Sequence, residues 1–224
     1  MTVIEALIDA VRCGDLVALR ALLTVAPHVV GEARTTTGKS QILSAVARGR
    51  LDVASLLAQH VDALDVFEAA AVGHSTRLAA VLDDTPANIT AFSVDGWTAL
   101  HLAAFAGQIA STRRLLDAGS DANIISANSM ASAPLHTATS GAAAPAVVSL
   151  LLERGAHPSG RAAGGITPLH NAAARGVTAV ADLLLAHGAD PAALMETGQS
   201  PAMIAAAKGH SLLARRIRDA ERAK

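Results

Sequence analysis

The stretch "DGWTALHLAAFAGQ", Asp95 to Gln108, returns in altered form three times further along the chain. Aligned on its Thr-Ala-Leu-His core are "ASAPLHTATSGA" from Ala131, "GITPLHNAAARG" from Gly165 and "GQSPAMIAAAKGH" from Gly198. The marker residues His101, His136, His170 and Met203 stand 35, 34 and 33 positions apart. Behind the first three come leucine-rich runs, "STRRLLDAG", "VVSLLLERG" and "VADLLLAHG". A period of this length marks units that cannot bury an apolar face alone and gain stability by stacking.

The residue types fit a helix-turn-helix unit. Thr or Ser opens the first helix as an N-cap and satisfies a free amide. Pro134, Pro168 and Pro201 take the first helical position, where a missing N–H costs nothing. Alanines on this helix allow close approach, and paired leucines on the second helix fill the core. Gly119, Gly155 and Gly188 suit a left-handed cap at its end. Upstream, "IEALIDAVRCGDLVALRALL", "QILSAVARGRLDVASLLAQH" and "VFEAAAVGHSTRLAAVLDD" read as helix pairs turning at Gly14, Gly49 and Gly73. The turn glycines then fall at 14, 49, 73, 107, 141, 176 and 209, at intervals of 35, 24, 34, 34, 35 and 33. Seven helix pairs follow. The last ends "LLARRIRDAERAK", with charge where inner repeats are apolar, as a terminal cap requires.

These features together resemble the ankyrin repeat, with its Thr-Pro-Leu-His-x-Ala start and 33-residue period. The match is strongest from Asp95 to Lys224 and extends, with a weaker motif, over the whole chain. The resemblance implies an all-α ankyrin-repeat solenoid of stacked helix-turn-helix units with finger loops. It implies a single domain over 1–224, with repeats near 1–34, 35–61, 62–94, 95–127, 128–163, 164–197 and 198–224. It also implies a non-catalytic protein-protein interaction module or scaffold, binding another protein on a concave face formed by first helices and finger tips.

Carried over position by position, that expectation selects Val94, Asp95 and Trp97 before the Thr98-Ala99-Leu100-His101 motif, and Phe105 before the Gly107 turn. Phe92 lies just upstream, so three of the four aromatics gather on one repeat. Met130 on the next finger and Arg175 before Gly176 are neighbours of the patch. Aromatics are favoured at the energetic centres of interfaces. The competing reading places one or more of them in the core against the adjacent finger.

Departures from the period shape the surface. The 24-residue interval between Gly49 and Gly73 leaves "HVDALDVFE" no room for a finger. The finger "SDANIISANSMASA" has two extra residues, and the turn "TSGAAAPAV" one, with Pro145 starting its second helix. The first finger region, "PHVVGEARTTTGKS", departs from the pattern and reads as a looser connection or an added contact surface.

Composition narrows the function classes. The 224 residues have a net charge of −1, which gives no electrostatic case for nucleic acid or a membrane surface. Apolar residues make up 51% but aromatics only 2%, and tyrosine is absent, so helix-forming Ala and Leu dominate. Cys13 is the single cysteine, which excludes an intramolecular disulfide and suggests a reducing compartment. Glu5 and Asp9 interrupt the N-terminal apolar run, unlike a secretory signal, and no apolar segment nears the roughly 20 residues of a membrane span. The expectation is a cytoplasmic monomer. Fifteen arginines against three lysines, with abundant alanine, suggest a GC-rich bacterial genome.

Sharper chemistry finds little footing. His101, His136 and His170 sit on successive repeats about 10 Å apart, too far to share a zinc ion at about 2.1 Å. Hydrogen bonds to finger backbone are their expected role. His157 replaces the usual finger Asp, Cys13 has no histidine and acid arranged beside it, and Asp83-Asp84 and Asp62/Asp65 read as solvated helix-end acids. Arg215, Arg216, Arg218, Arg222 and Lys224 form a basic helix end that favours the dipole. The alternative function is a nucleotide-binding or enzymatic protein using Thr37-Gly38-Lys39-Ser40. A phosphate loop ending there requires glycine at 33, where the chain has Ala33, and a preceding strand that the pattern does not supply. Ser40 fits an N-cap instead. No catalytic residue, cofactor or metal is predicted.

Overall fold

Caps set the helix boundaries in the computed structural model, which describes residues 2–223. The side chains of Thr2, Ser40, Asp65, Thr98 and Ser200 each accept the backbone N–H three residues on. Prolines begin the first helices of the last three repeats, as their fixed φ allows. The pairs are α1 (Val3–Cys13) with α2 (Leu16–Val25), then, after a short turn α3 (Val29–Glu32), α4 (Gln41–Ala47) with α5 (Leu51–Ala58). Next come α6 (Val66–Val72) with α7 (Ser75–Asp84), and α8 (Ala99–Phe105) with α9 (Ile109–Asp117). The last three are α10 (Pro134–Ser140) with α11 (Pro145–Glu153), α12 (Pro168–Arg175) with α13 (Thr178–Ala186), and α14 (Pro201–Ala207) with α15 (Ser211–Arg222).

First helices stack on first helices from α6 through α14, and second helices line up behind them from α7 through α13. Ala103, Ala138 and Ala172 are fully buried in the first layer, where a methyl group is all the spacing admits. Leu100, Leu135 and Leu169 recur beside them, and Leu115, Leu151 and Leu184 meet them from the second layer. The result is one continuous core running the length of the stack. Helix α15 buries Leu213, Ala214 and Ile217 against the stack and exposes Leu212 and its arginines. No strand or sheet forms among the described residues, and none of their helices is long and apolar enough to cross a membrane.

Six of the seven turn glycines have positive φ, but Gly141 has φ −83. Its need is proximity: a Cβ there would lie 2.1 Å from the Phe105 carbonyl oxygen. That oxygen accepts the Ala142 N–H at 2.8 Å. The left-handed step falls on Ala143 (φ 49) instead, just before Pro145 starts α11.

The fingers share one turn. In the fourth repeat Ser93 N–H donates to the Trp97 carbonyl and Gly96 N–H to the Ser93 carbonyl, both at 2.8 Å. The same pair of bonds recurs in Ala162–Ile166 and Met195–Gln199, and also in Thr35–Lys39. The end of the first finger region is therefore an ordinary finger, which corrects the expectation of a departure there; the departure is confined to the segment containing α3. Gly38-Lys39-Ser40 occupies the place of Gly96-Trp97-Thr98. The longer finger of the fifth repeat closes from Ser126 N–H to the Ser132 carbonyl (2.9 Å) with Ala131 at φ 44. Between α5 and α6 only residues 59–65 intervene, and no finger forms.

Candidate interaction groove

A row of neutral histidines underlies the fingers. His101 Nδ1 accepts from the Thr98 N–H (3.3 Å) and lies 2.8 Å from its hydroxyl, while Nε2 donates to the Ser132 carbonyl of the next finger at 2.8 Å. His136 does the same between Ala133 N–H and the carbonyls of Gly160 (3.0 Å) and Ile166 (3.2 Å). His170 links Thr167 N–H (3.1 Å) to the Gln199 carbonyl (3.1 Å). Burial disfavours the imidazolium, and it pushes His101 down to about 4 and lowers His136 and His170 as well. With both nitrogens of each ring engaged, the row is a set of struts. Among the described residues no His, Cys, Asp or Glu side chains converge as a metal site.

Glu68 takes the corresponding place in the third repeat. Its carboxylate accepts the Asp65 N–H at 3.1 Å and its own N–H donates back to Asp65 at 2.8 Å. Burial, with the charge of Asp65 next, raises its pKa against the opposing Ser40 hydroxyl and Arg34.

Above this row lies a depression of about 400 Å³. Trp97, placed by the finger turn, tilts at 55° against the His101 ring with centroids 5.4 Å apart. Phe105 from the end of α8, Met130 from the longer finger, and Leu43 and Val46 from α4 complete the apolar wall. Because the third repeat has no finger, nothing separates the Thr35–Lys39 finger of the second repeat (the second finger) from the Ser93–Trp97 finger of the fourth. Lys39 spans the gap and forms an ion pair with Asp95 at the rim. Beside this depression lies a second, lined by Phe105, Ser140, Gly141, Ala142, Arg48 and Arg175. Successive fingers beyond the gap are laced by backbone: Ala127 N–H to Gly96 (2.8 Å), Ala163 N–H to Met130 (3.0 Å) and Glu196 N–H to Gly164 (2.9 Å). Asn128 adds a side-chain bond to the Asp95 carbonyl at 2.8 Å.

Of the residues selected from sequence, Asp95, Trp97, Phe105 and Met130 line the larger depression, and Phe105 and Arg175 the smaller. Phe92 and Val94 are exposed and line neither. Phe105 also packs partly against the core, as the competing reading expects of one or more of these aromatics. Leu43, Val46 and Arg48 are groove residues that the sequence pattern does not select, and it names Lys39 only within the phosphate-loop alternative. The signal for Lys39 was present, since Gly-x-Ser/Thr recurs at Gly38, Gly96, Gly165 and Gly198 and puts Lys39 in the slot of Trp97.

A family model described as "Ankyrin repeats (3 copies)" matches residues 66–162 and 145–221. The Neurogenic locus Notch protein of Drosophila melanogaster is 31% identical over 165 residues, which is 71% of this chain. The aligned part is 6% of that much longer protein. Capped helix pairs, a 33–35-residue period, a histidine row beneath the fingers and the family match agree: the chain belongs to the ankyrin-repeat family, whose repeats are generally protein–protein interaction modules.

Proposed function

We infer that residues 1–224 act as one non-catalytic binding domain that holds a partner protein on the concave side of the stack. The first helices and finger tips form that side, and the depression around Trp97, Phe105 and Met130 is its anchor. The observation behind this reading is that these scarce large apolar side chains come from two different repeats and line one depression. Phe92 and Val94 extend the contact along the fourth finger. A monomer in the cytoplasm of a GC-rich bacterium fits the composition.

A nucleotide site at Thr37-Gly38-Lys39-Ser40 is disfavoured by chemistry already in place. Lys39 is paired with Asp95, and the Ser40 hydroxyl caps α4 by accepting the Leu43 N–H at 3.3 Å. The test of the binding reading is capture of a partner from native lysate by wild type and by a Trp97→Ala/Phe105→Ala variant. Loss of capture by a variant that keeps its helical signal supports the anchor, and unchanged capture overturns it.

A further inference from the structure

Two arginines from well-separated repeats line the smaller depression, Arg48 just after α4 and Arg175 at the end of α12. Arg48 Nη1 donates to the Ser44 carbonyl (3.1 Å) and hydroxyl (2.6 Å). Arg175 Nη1 donates to the Ser140 carbonyl at 2.9 Å. These bonds use one nitrogen of each guanidinium and fix its direction, leaving the remaining donors for another group. Both arginines are exposed, and neither is in an ion pair among the described residues.

The second-helix layer is built differently. There Arg114, Arg154 and Arg216 each pair with an aspartate of the preceding repeat, Asp83, Asp117 and Asp182. A cation at a helix C-terminus is favourable in itself. That accounts for either arginine alone but not for the presence of both on one depression. Phe105 lines this depression and the apolar one, so the two adjoin. At the finger end of the apolar depression Lys39 neutralises Asp95. The uncompensated charge of the groove thus lies at its turn end and is positive.

We propose that the occupant is a peptide segment of a partner protein carrying an apolar side chain and, close by, an Asp or Glu. The apolar side chain fills the depression between Trp97, Phe105 and Met130, and the carboxylate docks between Arg48 and Arg175. Guanidinium groups match carboxylate oxygens two at a time, which suits this end of the groove. The proposal rests on the concave-face reading above and specifies its chemistry.

The experiment is selection of a displayed random-peptide library on the purified chain, with clones retained by a Trp97→Ala/Phe105→Ala variant discarded. The selected peptides share an apolar residue and an Asp or Glu at a fixed offset. A synthetic selected peptide binds an Arg48→Ala/Arg175→Ala variant about tenfold more weakly. Changing its acid to the amide costs as much in wild type and nothing further in that variant. Selection on Arg48→Glu/Arg175→Glu replaces the acid by Lys or Arg. Groove-dependent peptides without an acid, or with affinity unchanged by the arginine variant, overturn the proposal and leave the concave-face reading intact. Recovery of no groove-dependent peptide overturns both.

Discussion

Lys39 and Asp95 form an ion pair that joins the second finger to the fourth across the place where the third finger is missing. The pair exists because α6 follows α5 with no finger between them, which brings two rims together that one repeat would otherwise separate. Both side chains retain some solvent, 18% and 27%, so the pair shapes the groove more than it stabilises the fold. Lys39→Met is expected to change unfolding free energy by less than about 1 kcal/mol in urea titrations. Mg-ATP added to either form in calorimetry gives no saturable heat. A loss of several kcal/mol, or ATP binding abolished by the substitution, would contradict this assignment.

The histidine row makes stability depend on pH. Folded His101 holds off its proton until about pH 4, against an ordinary value of 6.5. The unfolded chain takes up that proton from about pH 6.5 downward, so stability is full above 6.5 and falls as pH drops toward 4. For His101 the loss reaches about 3 kcal/mol, and His136 and His170 add to it in the same direction. Glu68 works in the opposite sense, because its raised pKa makes the folded form hold a proton longer as pH rises. Comparing wild type with His101→Gln, in which an amide can accept from Thr98 and donate to Ser132, isolates the first contribution. Wild type should lose more stability between pH 7 and pH 4.5; equal losses would refute the argument.

Gly141 and Gly188 are glycines for different reasons, and alanine separates them. At Gly141 the added methyl meets the Phe105 carbonyl, so the α8 end must move, at about 1–3 kcal/mol. At Gly188 (φ 86) there is open space and only the left-handed backbone objects, at about 1–2 kcal/mol. Trp97, the one tryptophan, reports the difference. Its emission is expected to shift in Gly141→Ala and to stay constant in Gly188→Ala. The same spectrum in both would show that Phe105 does not transmit the clash.

Much of this architecture was readable because its causes are local. N-caps, prolines at the first helical position, left-handed glycines and the 33–35-residue period each act within a few residues of where they are written. Trp97, Phe105 and Met130 are selected by the ankyrin resemblance, which assigns variable positions of successive repeats to one face, and they line one depression. The spacing marks Gly141 as a turn but not why it is glycine, since that requirement comes from Phe105, far away in sequence. Gly38-Lys39-Ser40 shares three letters with a phosphate loop, but the same Gly-x-Ser/Thr stands at Gly96, Gly165 and Gly198 in the other fingers. Asp95, the partner of Lys39, lies across a gap, and no periodic rule specifies contacts across a missing element.

Photo-crosslinking locates the partner relative to the groove side of the stack. A benzophenone amino acid is placed at Met130, on the rim of the groove, or at Leu212, exposed on α15. A partner seated in the groove gives a discrete crosslinked protein product in native lysate from position 130 and none from position 212. Efficient crosslinking from 212 with none from 130 would contradict that placement.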